Sequence, residues 1–154
     1  AAVSLDGTAV SSTRIREAIR EGELDSASQM LGRAYSIAGR VVRGAQVGRQ
    51  LGFPTANLDV SHLMLPPNGV YVVQATVRGE THRGVSNIGY RPTLQNPAPQ
   101  LRVEVHLLDF SADLYGEELE VTFLEKLRAE QEFASKAALA DQIARDITEA
   151  RLRF

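Results

Sequence analysis

Cysteine is absent from this 154-residue chain, which removes disulfide scaffolds, thiolate zinc sites and cysteine nucleophiles together. Lysine is nearly absent: Lys126 and Lys136 are the whole supply, and neither follows a glycine, so there is no G-x-x-x-x-G-K-[ST] phosphate loop. The protein-kinase signature set is missing as well. No apolar run approaches the roughly 20 residues that span a bilayer. The opening A-A-V-S-L-D-G-T lacks the basic and apolar regions of a signal peptide, so the cytoplasm is the expected location. A formal net charge of −2 gives no electrostatic argument for nucleic acid or an anionic membrane as partner. What is there, 44% hydrophobic and 23% charged residues, suits one globular domain with a single core.

The first thirty-odd residues read as two short helices. Ser11 or Ser12 is placed to cap a helix through Arg14–Arg20 that ends at Gly22, and Asp25 to cap a second through Ala27, Met30 and Leu31 that ends at Gly32. Both carry little apolar surface, so they are expected to be mobile or packed against a neighbouring molecule. From Tyr35 the period changes to two. Tyr35, Ile37, Gly39 and Val41 alternate with smaller or polar residues, 70–77 is rich in β-branched residues, and 81–88 is its partner across a turn near Gly79-Glu80. Leu101, Val103, Val105 and Leu107 face one way, while Arg102, Glu104 and His106 face the other. Leu119, Val121 and Phe123 repeat the pattern. Five or six strands joined by turns, with no intervening helices, make the chain mainly β, an antiparallel sheet closed as a barrel. Ser135 then caps a final helix whose core stripe is Leu139, Ile143 and Ile147.

The most informative stretch, 43–58, reads R-G-A-Q-V-G-R-Q-L-G-F-P-T-A-N-L. Gly44, Gly48 and Gly52 let the backbone bend and come close to a ligand. Backbone N–H groups of such a turn cradle phosphate oxygens without a lysine, and Arg49 would supply positive charge. Thr55 and Asn57, two apart in an extended segment after Pro54, point to the same side. Both are neutral oxygen donors, so a magnesium ion held by them is expected to bind weakly until a nucleotide brings its own oxygens. The same glycines serve equally well in an ordinary strand-connecting turn.

Gly39-Arg40-Val41-Val42-Arg43-Gly44 followed by Gly48-Arg49-Gln50-Leu51-Gly52-Phe53-Pro54-Thr55-Ala56-Asn57-Leu58 closely resembles the loop of riboflavin kinases. The resemblance continues, in order, through Gly69-Val70-Tyr71, Ser86-Asn87-Ile88-Gly89-Tyr90-Arg91-Pro92-Thr93, Val103-Glu104-Val105-His106, Asp113-Leu114-Tyr115-Gly116, Leu127-Arg128 and Phe133-Ala134-Ser135. It implies a six-stranded antiparallel Greek-key barrel with a C-terminal helix, and phosphorylation of riboflavin by ATP to give FMN and ADP. It also implies roles for particular residues. Glu104, which alone reads as a solvated strand carboxylate, becomes the general base for the terminal ribityl hydroxyl. Gly44, Gly48, Arg49, Gly52, Pro54, Thr55, Asn57 and Tyr115 become nucleotide-binding, with Mg2+ on Thr55 and Asn57. Asn87, Arg91, Thr93, Leu124 and Arg128 line the flavin side. Tyr115-Gly116 reads equally as a turn, and Arg128 equally as a surface charge. His106 shares the face of Glu104, but with three scattered histidines a metal site is not expected.

Val10-Ser11-Ser12-Thr13-Arg14-Ile15-Arg16, with Gly22-Glu23-Leu24-Asp25 and Leu31-Gly32-Arg33, resembles the end of the adenylyltransferase module of bacterial bifunctional FAD synthetases. No His-x-Gly-His occurs, so adenylylation of FMN is not expected. Residues 1–33 are then the remnant of that module, 34–154 the riboflavin kinase domain, and the missing module a partner in a longer parent protein. The alternative is a flavin- or nucleotide-binding barrel without catalysis, which would have no need of the set Thr55, Asn57 and Glu104.

Overall fold

The computed structural model describes residues 3–5, 8–10, 12–43, 53–60, 63–91, 100–110 and 113–154. Its first elements are a hairpin, β1 (Val3–Leu5) and β2 (Thr8–Val10), and two helices, α1 (Ser12–Arg20) and α2 (Leu24–Leu31). Six strands follow: β3 (Ser36–Val42), β4 (Ala56–Leu58), β5 (Gly69–Val77), β6 (Glu80–Arg91), β7 (Gln100–Leu107) and β8 (Glu118–Arg128). They close into one barrel in the lateral order β3-β4-β7-β6-β5-β8, with every ladder antiparallel. Three consecutive strands, β5 to β7, with β8 returning beside β5, form a Greek key. The expected architecture is therefore present, and its sixth strand is β4, a three-residue piece that begins in the Pro-Thr-Ala-Asn segment and ends at Leu58.

Alternation builds the core. Val103 and Val105 of β7 are buried, as are Val73 and Ala75 of β5, Ile88 of β6, and Leu119, Val121 and Phe123 of β8. The β5–β6 turn is Arg78-Gly79, with φ 53° and 80°, the paired positive angles of a tight hairpin turn. Val70 and Val72 face outward yet are only 2% and 0% exposed. The final helix, α3 (Lys136–Arg151), touches β6 and β8, the strands on either side of β5, and so lies across it. Ser135 caps that helix as expected, its hydroxyl accepting from the Ala138 N–H at 3.1 Å. The stripe of Leu139, Ile143 and Ile147 is half-buried, and the fully buried positions are Asp146 and Ala150.

The N-terminal helices differ from expectation in two respects. Position 23 is the N-cap of α2, without a side-chain cap bond, and Asp25 lies inside its first turn. The helices also have a place within the chain. Ala18, Ile19 and Ala27 pack with Tyr35 and Met64, and Leu24 joins the barrel core, because the few apolar groups on each helix point the same way.

Two phenols fasten the segment before β5 to this end of the barrel. Tyr35 donates to the Met64 carbonyl at 2.6 Å and Tyr71 to the Pro67 carbonyl at 2.5 Å, and both rings pack on Phe123. Burial pushes the Tyr71 hydroxyl up to about 12. The folded state thus holds this proton more tightly than the unfolded chain, whose tyrosines ionise near pH ~10. The resulting stability is fully present below the unfolded value and is lost as pH rises through about 12. Burial raises the Tyr35 hydroxyl as well, so alkaline titration followed at the phenolate absorbance is expected to show two late tyrosines, with Tyr71 ionising last and together with unfolding. Tyr71→Phe is expected to remove that last step and to lower stability by about 1 kcal/mol, the worth of one hydrogen bond. A Tyr71→Phe titration with the last step intact would show that the assignment to Tyr71 is wrong.

Candidate active site

Residues directly opposed in an antiparallel ladder point to the same face. Glu104 of β7 is opposed to Asn57 of β4 on one side and to Asn87 of β6 on the other. The core-facing partners in these strands are Leu58, Val103 and Ile88, so Asn57, Glu104 and Asn87 form one polar row on the outer face. Strands lie about 4.8 Å apart, which puts the two amides about 10 Å apart with the carboxylate between them. Asn57 is 7% exposed and Glu104 half-buried. The Asn87 side-chain oxygen is buried with no hydrogen-bond partner among the described residues, an acceptor in the row.

Thr55, half-buried, precedes β4 directly. The chain here is docked onto β7 by His106, whose Nδ1–H donates to the Pro54 carbonyl at 2.7 Å. The imidazole also meets the Phe53 ring edge-on at 6.0 Å. A strand period of two carries both features, because His106 shares the outer face with Glu104. The sequence showed that shared face but not the Pro54 contact, which is made to a main-chain atom.

Tyr115 is 52% exposed, and the Arg43 guanidinium sits over its ring at 4.1 Å from the centroid. Its turn is stitched to β3, with Gly116 N–H donating to the Val41 carbonyl at 3.0 Å and Arg40 to the Gly116 carbonyl at 3.3 Å. Gly116 has φ 83°, so the turn needs glycine there. The structure therefore puts Tyr115 at the root of the glycine loop.

On the other side, Val70 of β5 is opposed to both Asn87 and Arg128, which extends the row to β8. Arg128 is bound to the helix: Nε and Nη2 donate to the two oxygens of Asp146 at 2.9 and 2.8 Å, and Gln142 adds a third donor at 3.0 Å. Arg128 Nη1 donates to the Ala129 carbonyl at 3.1 Å. Two of its nitrogens thus hold β8 to α3, and the third fixes the chain just after β8. Leu124 falls in a β-bulge, since Phe123 opposes Val73 and Glu125 opposes Val72. Arg91 ends β6. The Glu130 carboxylate rests against Gly89, in the space a side chain there would fill, so that motif glycine makes room for an acid the sequence did not single out.

Gly44, Gly48, Arg49, Gly52 and Thr93 lie outside the described residues. Among the described residues there is no group of three His, Asp or Glu able to hold a metal, and no helix long and apolar enough to cross a membrane.

The family model for flavokinase, riboflavin kinase, matches residues 31–154. The bifunctional riboflavin kinase/FMN adenylyltransferase of Pseudomonas fluorescens is 47% identical over 149 residues, covering 97% of this chain and 48% of the relative. The Escherichia coli K12 protein of the same name is 46% identical over 149 residues, 96% of this chain and 47% of its own length. The chain spans about half the length of the curated relatives it matches. Among solved structures, one named as a macrolide-efflux protein from Streptococcus pneumoniae superposes with a TM-score of 0.85 at 35% identity, over 97% of this chain and 49% of that one. A riboflavin kinase from Trypanosoma brucei gives 0.52 at 27% identity, over 75% and 76% of the two chains.

Proposed function

The chain belongs to the riboflavin kinase family, and on that premise we propose that it transfers the γ-phosphoryl group of ATP to the terminal ribityl hydroxyl of riboflavin, giving FMN and ADP. The observation that carries this reading is the row in which Glu104 stands between Asn57 and Asn87. A flavin carrier has no use for a carboxylate placed beside a phosphate-side amide. A phosphotransferase does, because phosphoryl transfer depends on holding donor, acceptor and base in line.

The donor set suits magnesium in the way its chemistry requires. Thr55 and Asn57 offer neutral hard oxygens on one side of an extended segment, and with no acidic cluster among the described residues the remaining ligands fall to phosphate oxygens and water. When bound, the ion would neutralise charge on the phosphates. Glu104 accepts the proton of the attacking hydroxyl, for which an ordinary ionised carboxylate suffices when the transition state is loose. Asn87, on the side away from Asn57, is assigned to the flavin together with Arg91, Thr93, Leu124 and Arg128. Arg128 acts there by fixing the end of β8. The backbone of 44–52, Arg49 and Tyr115 are assigned to the nucleotide.

We assign the kinase to residues 34–154, the remnant of an adenylyltransferase module to residues 1–33, and the cytoplasm as the place of action, with FMN feeding FAD synthesis in the parent protein. The test is FMN formation from riboflavin, ATP and Mg2+ by this chain, read by chromatography. FMN is expected, FAD is not, and Mg2+ is expected to bind weakly without nucleotide. Riboflavin binding with no FMN would leave a binding barrel in place of a kinase.

A further inference from the structure

We infer that His106 is a positioning residue that sets the distance between the metal-nucleotide ligands and the catalytic carboxylate, an inference that rests on the function proposed above. β4 is only three residues long, and its ladder to β7 begins at Ala56 opposite Val105. Thr55 lies before that start, so among the described ladder pairs none holds it. The Nδ1–H bond from His106 to the Pro54 carbonyl, at 2.7 Å, extends the attachment of this segment beyond the strand. The contact sits on the residue before Thr55 and comes from the residue two after Glu104. One hydrogen bond therefore ties together the peptide that carries both neutral oxygens and the strand that carries the base.

A carbonyl oxygen only accepts, so Nδ1 must carry a hydrogen here. Phe53, edge-on to the imidazole at 6.0 Å, limits its rotation. The ring lies on the outer face with its partners before and beside β4, while the barrel core is built by Val105 and Leu107 on the other side. Loss of the bond is thus expected to loosen the nucleotide side of the site without opening the core.

Two side chains separate this role from simple filling of space. Asparagine puts an amide N–H near the position of Nδ1, and glutamine puts its amide one bond farther out. His106→Asn is expected to keep Mg-ADP binding, measured by calorimetry, within about two-fold of the parent chain. His106→Gln is expected to weaken it roughly five- to ten-fold, the effect of one hydrogen bond. Riboflavin affinity at saturating Mg-ADP is expected to stay unchanged in both, and the thermal midpoint to fall by no more than the roughly 2–4 °C that one hydrogen bond is worth. Mg-ADP binding that is unaltered in His106→Gln, equal losses in the two variants, or a parallel loss of riboflavin affinity would overturn the inference. If both variants unfold, Phe53→Leu serves instead: Mg-ADP binding weakened about two-fold supports the inference, and no change overturns it. A parent chain that forms FMN while His106→Gln binds Mg-ADP normally overturns this inference alone. A parent chain that binds no Mg-ADP overturns the proposed function with it.

Discussion

Replacing Glu104 by glutamine is expected to lower the turnover of FMN formation roughly 10²- to 10⁴-fold, the range associated with losing a positioned general base. Glutamine keeps the volume of the residue and its place in the row between Asn57 and Asn87, so the barrel loses a base and little else. The thermal midpoint is expected to stay close to that of the parent chain, and the KM for riboflavin to change much less than kcat. Glu104→Ala is expected to show the same loss in kcat together with a larger change in KM, because the row then has a gap. Steady-state kinetics of both variants decide the matter. If glutamine at 104 turns over at the parent rate, the carboxylate is a spectator, and the placement of substrates alone must account for catalysis.

The largest loss of stability is expected from Asp146→Ala. This carboxylate, with a side chain 7% exposed, receives three N–H groups, two from Arg128 and one from Gln142. Its removal leaves the Arg128 guanidinium, with a side chain 20% exposed, charged and unmatched against the barrel. Breaking a buried pair on one side costs about 3–5 kcal/mol. For a chain of this size that corresponds to a fall in Tm of roughly 6–20 °C. The double variant Arg128→Met with Asp146→Ala is expected to recover much of the loss, since no stranded charge remains. By contrast Arg151, paired with Asp109 at 2.9 Å with side chains 49% and 76% exposed, is expected to matter little on replacement by alanine. Thermal and denaturant unfolding of the three variants tests the contrast. An Asp146→Ala variant no weaker than Arg151→Ala would mean that α3 is held by its apolar contacts alone.

Much of the fold could be read from local patterns because those patterns are what hold it together. The period of two through Leu101–Leu107 placed Val103 and Val105 inside and Glu104 outside, and burial of one face makes such a register hard to shift. Ser135 was legible as a cap because its hydroxyl works within its own turn. β4 was not legible as a strand, since three residues give no alternation to count, and its pairing with β3 and β7 depends on long-range closure. Asp146 was hidden for a related reason. An acid on an amphipathic helix reads as part of the wet face until Arg128, from a distant strand, is known to meet it. Of the site, the motif resemblance picked out Asn57, Glu104 and Asn87, but their shared row exists only in the lateral order of the strands. The Pro54 carbonyl that His106 holds, and the Glu130 carboxylate against Gly89, involve main-chain surfaces that leave no mark on residue type.

The shortness of β4 has a consequence for how the chain tolerates changes in length. Ala56 and Leu58 face the core and Asn57 faces out, so parity alone decides which side chain meets Glu104. One residue inserted or deleted between Pro54 and Leu58 would turn the amide inward and push an apolar group outward, whereas the exposed Arg78-Gly79 hairpin at the far end of β5 has room to lengthen. Between Pro54 and Leu58 the spacing is as strictly constrained as the residues themselves.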